Sequence, residues 1–472
     1  MRAVAGRTLF DKLWDDHVVA DLGDGVALLH VDRHLLHDLG SGYAFRELDR
    51  RGLRLRNPEL HFATADHVVS SAPGRSGGVA DWAERHIEGL RAGCRRWGVR
   101  LADVNDPNQG IVHVVAPELG ITLPGMLVVC GDSHTSTNGA LGALAWGIGT
   151  SELAHVMATQ TILSRRPKRM RVELVGRPAP GVEAKDLALA LIGKIGAGGG
   201  NGYAVEYSGE AVRAMAMDAR MTLCNLSIEL GARIGLIAPD ERTFAYVAGR
   251  PLAPRGARWD RALEAWRALR SDADALFDRD VVVDASAVPP QITWGTSPED
   301  TIAIDSTIPD PAACADAGRR RAMAAALDYM GLEAGRPIAG TRIERVFIGS
   351  CTNGRLSDLE RAAAVVRGRR VASGVVAWVV PGSQLVKRTA EARGVDRIFR
   401  DAGFEWREPG CSLCVGANGE MVAPGARCVS TSNRNFVGRQ GPGARTHLAS
   451  PTVAAACAIA GEIVGELRAF EA

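Results

Sequence analysis

Cys411 and Cys414 stand in a loop bounded by Pro409-Gly410 and Gly416. Flanking glycines let backbone amides turn toward sulfur, which suits a metal cluster. A third thiol, Cys351, lies in Gly349-Ser350-Cys351-Thr352-Asn353, directly after a short apolar run. Iron–sulfur clusters usually take four thiolates, so three converging thiols would leave one iron free to bind a substrate hydroxyl as a Lewis acid. Cys428 is the competing fourth ligand; if it coordinates, the site closes and an electron-transfer cluster or a structural zinc results. Taken alone, Cys411 and Cys414 read equally well as two packed thiols or as ligands. A redox dithiol would want a helix, and Val415–Gly419 breaks that pattern. A zinc ribbon would want a second close Cys pair, which the sequence lacks.

The segment Gly131-Asp132-Ser133-His134-Thr135 follows the apolar run Met126–Cys130. An imidazole beside a carboxylate can be held in one tautomer and tuned as acid or base. Asp66-His67 and His113 add imidazoles, and Glu229, close after Asn225, could orient one of them. Singly, each histidine reads as a satisfied core or surface residue. Arg434 and Arg439 fall in an Asn/Gly-rich segment, Thr431–Arg439, where guanidinium forks could grip carboxylates; surface arginines are the alternative. Lys387 reads as a solvent-exposed lysine at a helix start. Gly193–Gly202 lacks both the Lys-Ser/Thr ending of a P-loop and the strand context of a dinucleotide fingerprint, which excludes nucleotide binding.

Strand-loop-helix units must position these loops. Arg345–Gly349 with Leu356–Arg367, Val375–Val380 with Gln384–Arg393, and Met126–Cys130 with Leu141–Thr161 each read as one, so the polar loops sit at carboxyl ends of strands, where open parallel sheets place ligands. The fold class is α/β. With 472 residues, two or three domains are expected, and glycine- and proline-rich stretches suggest divisions near residues 170 and 290, giving segments 1–170, 171–290 and 291–472. Lys and Arg total 56 against 54 Asp and Glu, a net charge of +2 that offers no broad field for nucleic acid or an anionic membrane. Apolar runs such as Leu141–Ile148 fall short of the ~20 residues a bilayer requires. Met1–Asp16 interleaves charges with apolar residues, unlike a signal peptide, and nine thinly spread cysteines do not make a disulfide scaffold. A cytoplasmic location follows by default.

Together, Gly131–Thr135, Gly349–Asn353, Pro409–Cys414 and Ser432–Arg439 resemble signature segments of the aconitase superfamily. Thr8–Val19, Val31–His37, Gly110–Val115, Ile148–His155, Met221–Leu230, Thr293–Pro298 and Gly403–Arg407 extend the likeness nearly end to end, closest to the bacterial isopropylmalate-isomerase branch. The resemblance implies three α/β domains around one [4Fe–4S] cluster per subunit, held by Cys351, Cys411 and Cys414, with Cys428 a structural thiol. It implies a hydro-lyase of leucine biosynthesis that takes water from 2-isopropylmalate and restores it with the hydroxyl on the neighbouring carbon. By the same resemblance Asp66 and His67 supply the acid, Asp132 with His113 and His134 with Glu229 form orienting pairs, and Ser133 belongs to the same catalytic segment. Asn225, Asn433, Arg434 and Arg439 would contact cluster or substrate.

Single-chain aconitases continue into a swivelling C-terminal domain that carries the serine base, whereas this sequence stops about thirty residues after Arg439. The resemblance therefore implies a separate small swivel-domain subunit, in a heterodimer or larger assembly. Three departures bear on the substrate: Ser41-Gly42-Tyr43-Ala44-Phe45 stands where relatives read Ser-Pro-Gln-Ala-Phe, Asn138 stands for a usual His, and Gly354 for a usual Ser. They leave another 2-alkylmalate, citraconate or homocitrate as competing substrates. An RNA-binding regulator is the competing class, and the near-neutral charge counts against it.

Overall fold

The computed structural model describes residues 6–470; the first five residues of the Met1–Asp16 stretch lie outside them. The chain forms two compact units, each assembled from separate stretches of sequence. The first comprises residues up to Asp66, Asp81–Arg177 and Gly198–Ala285; the second comprises His67–Ala80, Pro178–Ala197 and the remainder from Ser286. Each segment expected from the sequence contributes one parallel sheet, although strand Lys168–Val175 straddles residue 170. By packing, the first two sheets share a unit, and Pro178–Ala197 leaves its neighbours in sequence for the other one.

In the first unit, five parallel strands run in the order Arg100–Ala102, His61–Thr64, Arg33–His37, Leu127–Cys130, Leu144–Gly147. The chain winds outward from Arg33–His37 in one direction and then returns to build the other, so the strand order reverses between Arg33–His37 and Leu127–Cys130. Loops after those two strands therefore diverge and leave a crevice, the usual ligand position of an open parallel sheet. The second sheet of this unit orders Ile234–Leu236, Tyr203–Ser208, Lys168–Val175 and Arg279–Asp284, again all parallel. In the second unit the order is Glu405–Trp406, Val376–Val379, Arg345–Ile348, Arg427–Ser430, Arg445–Leu448, with the reversal between Arg345–Ile348 and Arg427–Ser430.

The stretch Leu141–Thr161, which reads as one helix, divides into strand Leu144–Gly147 and helix Thr150–Thr159. A short apolar run buried on both faces carries no alternation, so periodicity does not separate such a strand from a core helix. Gly147, at the strand's end, is required sterically: a Cβ there would lie 2.5 Å from the Asp132 carbonyl oxygen. Every cysteine except Cys314 is buried. No helix among the described residues is long and apolar enough to cross a membrane.

One partly buried pair anchors the start of the strand that leads to the Asp132 loop. Helix Leu9–His17 is nucleated by a capping box between Thr8 and Asp11 and ends at His17. The His17 ring places Nδ1 2.6 Å from the Leu13 carbonyl and Nε2 2.7 Å from Asp32, and Asp32 in turn accepts the Leu127 amide that opens strand Leu127–Cys130. Burial disfavours the charged ring, but Asp32 and the Leu13 carbonyl outweigh it and raise the His17 pKa above 6.5. Because the folded value is the higher one, the pair's contribution is complete below 6.5 and is lost as pH rises through the folded pKa. Denaturant titrations of the wild type and His17→Gln should therefore differ more at about pH 5.5 than at about pH 8.5; an equal gap at both would refute the assignment.

Candidate active site

In the first unit, strand Leu127–Cys130 delivers Gly131-Asp132 into a 3-10 run, Ser133–Leu141. Asp132 caps the run, accepting the His134 amide at 2.7 Å. The same carboxylate lies 3.2 Å from His134 Nδ1, while Glu229 lies 2.8 Å from Nε2. Both ring nitrogens thus face carboxylates, so the ring can accept or pass a proton at either end. Asn225 closes helix Met217–Asn225 just ahead of Glu229, and its amide donates at 2.8 Å to Thr137, whose hydroxyl donates in turn to the His134 carbonyl.

His113 is fully buried on helix Val112–Leu119, and its Nε2 lies 3.8 Å from Asp132. Asn138 sets its tautomer. The Asn138 carbonyl accepts from Thr122 at 2.8 Å and its amide donates to the Thr135 carbonyl at 3.0 Å, which fixes the amide's orientation. That amide also faces His113 Nδ1 at 3.4 Å. An amide nitrogen only donates, so Nδ1 accepts and the ring proton sits on Nε2, toward Asp132. Asp66 accepts the Val112 amide at 2.9 Å and so anchors the start of the same helix. Its chain neighbour His67 is buried and opens the first segment of the second unit.

In the second unit, Cys351 sits on the short helix Ser350–Asn353 after strand Arg345–Ile348, and Cys411 leads into the 3-10 turn Ser412–Cys414. All three thiols are buried. The residues beside them, Ser350 and Ser412, hold φ of 78° and 47°, left-handed values that cost a serine energy and concentrate at functional sites. Asn433, on the loop after strand Arg427–Ser430, bridges two thiols: its amide nitrogen is 3.5 Å from Cys351 Sγ and its carbonyl oxygen 3.5 Å from Cys414 Sγ. Arg439 donates from Nε to the Cys414 carbonyl at 2.9 Å, a bond that braces the loop, and Arg434 is half-buried beside Asn433. Cys428 lies on strand Arg427–Ser430, not on a loop, in an apolar cluster that also holds Cys414, Phe347 and Val422, and burial pushes its thiol up to about 12. A thiol held that high opposes the thiolate that a metal needs. Cys351, Cys411 and Cys414 are buried thiols beside left-handed serines, soft donors of the type that an iron–sulfur cluster takes.

Sequence reasoning missed three supports. Glu420 accepts from the Ser71 and Ser412 hydroxyls at 2.6 Å each and pairs with Arg407 at 3.0 Å. Burial opposes its charge, but these partners outweigh it and lower its pKa. Lys185, fully buried on helix Ala184–Ile195, donates to the Ser432 carbonyl at 2.6 Å. Burial pulls it down to about 7, against the opposing fields of Cys414, Asp186, Asp358 and Glu183. Asn138, notable in the sequence only as a departure, orients His113. Lys387 is only half-buried and pairs with Glu391 and Glu408, which corrects its reading as a free surface lysine.

The family model of aconitase, the aconitate hydratase family, matches residues 11–461. The chain belongs to the aconitase family. Enzymes of this family typically use a [4Fe–4S] cluster. Among relatives, 3-isopropylmalate dehydratase large subunit 1 of Bradyrhizobium diazoefficiens is 62% identical over 466 residues, covering 99% of this chain and 97% of its own. Among solved structures, aconitase X of Thermococcus kodakaraensis, in its holo form, matches over 86% of this chain and 84% of its own, at 12% identity and a TM-score of 0.45.

In this aconitase-family chain, Glu420 should matter to stability as well as to loop shape. Replacing it with Ala removes the buried acceptor of two serine hydroxyls and one of the two carboxylates that pair with Arg407, Glu405 remaining, so Glu420→Ala should lose about 1.5–3 kcal/mol, read as a lower urea midpoint. Glu420→Gln, which keeps hydrogen-bond acceptors for the serines, should lose less. Equal losses would mean that the carboxylate's charge is immaterial there.

Proposed function

We propose that the chain is the large, catalytic subunit of a 3-isopropylmalate dehydratase, an aconitase-family hydro-lyase that isomerises 2-isopropylmalate to 3-isopropylmalate. The observation that carries this reading is the 62% identity spread over 99% of the chain. The reaction removes a hydroxyl and a proton from adjacent carbons as water, then returns them with the hydroxyl on the neighbouring carbon. Held by Cys351, Cys411 and Cys414, a [4Fe–4S] cluster with one iron lacking a protein ligand would supply a Lewis acid for the hydroxyl and a carboxylate. Asn433 keeps two of those thiols at a set spacing, and Arg439 braces the Cys414 backbone while its remaining N–H groups stay available to a carboxylate.

The proton work falls to the histidines. His134, with a carboxylate at each nitrogen, can take up a proton at one end while its charge is balanced at the other. His113, with its proton on Nε2, is a donor of fixed direction. Asp66 and His67 are assigned the acid that protonates the departing hydroxyl, and Asp132, Ser133 and Glu229 its orientation and relay. Asn225 and Arg434 complete the substrate contacts. The serine base is assigned to a separate small subunit, a partner implied by the phrase "large subunit" in the relative's name.

The decisive experiment is an anaerobic assay of the reconstituted chain with a small subunit, offering 2-isopropylmalate, homocitrate and citraconate in parallel. The expected result is the highest kcat/KM on 2-isopropylmalate, and a strong preference for either of the others would overturn the substrate assignment. His134→Ala should lower kcat/KM by about 10²–10⁴ while leaving the cluster's visible absorbance intact. Cys351→Ser should lose that absorbance.

A further inference from the structure

Helix Ala184–Ile195 reaches the second unit from the middle of the sequence and carries a lysine into its interior. An ammonium is rarely buried without a partner, because desolvation costs several kcal/mol. Lys185 is fully buried, yet among the described residues no carboxylate forms an ion pair with it; its Nζ bond is to the Ser432 carbonyl, 2.6 Å away. The neighbouring acids are engaged elsewhere. Asp186 accepts the Glu183 and Gln291 amides, Glu183 pairs with Arg361 at 2.7 Å, and Asp358 pairs with Arg361 at 2.7 Å. A hydrophobic residue would fill the same space more cheaply if filling were all that was needed.

What surrounds the ammonium is the thiol site. Ser432 is the chain neighbour of Asn433, the amide that bridges Cys351 and Cys414. On the other side, Arg361 links Glu183 to Asp358, Asp358 accepts the Asn353 amide at 3.2 Å, and Arg355 donates to the Cys351 carbonyl at 2.9 Å. The helix start is thereby tied both to the loop that carries Cys351 and to the loop that carries Asn433. We propose that Lys185 is a positioning residue of the thiol site, seating Asn433 between the two sulfurs through the Ser432 carbonyl and placing beside the anionic metal group bound there an amine whose protonated form that group favours. This rests on the cluster reading above. A bound iron–sulfur cluster becomes more anionic on reduction, so a buried cation at its edge favours the reduced form, and a braced amide slows loss of the iron that lacks a protein ligand.

The test uses the full chain, reconstituted anaerobically, as wild type and as Lys185→Met, Lys185→Gln and Lys185→Arg. Three quantities are read: melting temperature, the rate at which ferricyanide with a chelator converts the cluster to its oxidised three-iron form, one ferrous ion going to the chelator and one electron to ferricyanide, followed by electron paramagnetic resonance, and the midpoint potential. The expected result is folded neutral variants that lose iron about tenfold faster than wild type, with a potential shifted to more negative values. Lys185→Arg, which keeps the charge, should return the potential toward wild type. Should Lys185→Met fail to fold, Lys185→Gln against Lys185→Arg makes the same comparison. Folded neutral variants with wild-type iron loss and potential would overturn the proposal, as would Lys185→Arg behaving like Lys185→Met. Collapse of both neutral variants would assign the lysine to folding alone and overturn it too. A wild-type chain that binds no cluster would instead refute the cluster reading itself, and this proposal with it.

Discussion

The second unit depends on two serines held where serines do not rest. Ser350 and Ser412 each turn the backbone left-handed beside a thiol, at roughly 1–2 kcal/mol apiece. Such a conformation persists only if its surroundings over-determine it. At Ser350 the bracing comes from Thr431, whose hydroxyl accepts the Gly349 amide at 2.8 Å and donates to the Gly349 carbonyl at 3.0 Å. At Ser412 it comes from Glu420, which accepts the serine hydroxyl. Glu420 is buried, so it needs Arg407; Arg407 is buried as well, and its guanidinium lies 3.5 Å from the centroid of the Trp378 ring. Strain at one residue thus propagates into a requirement for a carboxylate, then a guanidinium, then an aromatic face.

The first unit meets a similar demand with less charge. His134 has two carboxylates, but His113 beside it is oriented by an amide. An imidazole at position 138 could titrate or offer either tautomer, whereas Asn138 presents a fixed donor whose direction Thr122 and Thr135 enforce. The tautomer of His113 is then a consequence of packing, and the Asp132 carboxylate between the two rings sees a proton on one of them at a defined nitrogen. Gly147 makes room for the loop that carries this carboxylate.

What the sequence made legible was the chemistry-bearing loops and the sheets beneath them. Thiols after one strand and imidazole with carboxylate after another announce carboxyl-end loops, and the strand orders place both beside a reversal point. The strand Leu144–Gly147 was hidden because it is apolar throughout, and the division into two packed units was hidden because chain neighbours part company at Asp66 and at Arg177. Lys185 gave no signal at all. A lone lysine near a helix start ordinarily means a solvated end, and only its complete burial marks it out. Glu420 and Arg407 were illegible for a related reason: an ion pair between loop residues 13 apart follows no periodic spacing, unlike pairs one helical turn apart.

That asymmetry follows from how the second unit is assembled. Ser71 comes from segment 67–80, Lys185 from 178–197, and the thiols from the stretch beyond 286. The thiols sit on short loops after strands of one sheet, so each forms a local motif. Their supports need only arrive at the right place in space, and here they arrive from hundreds of residues away, as in the Ser71 to Glu420 bond. Contacts of such separation form only after the intervening chain has collapsed, because closing long loops costs entropy before any bond repays it. Ser412 can therefore reach its final conformation only late, once Glu420 has met Ser71, whereas Ser350 needs only Thr431 from the neighbouring strand's end.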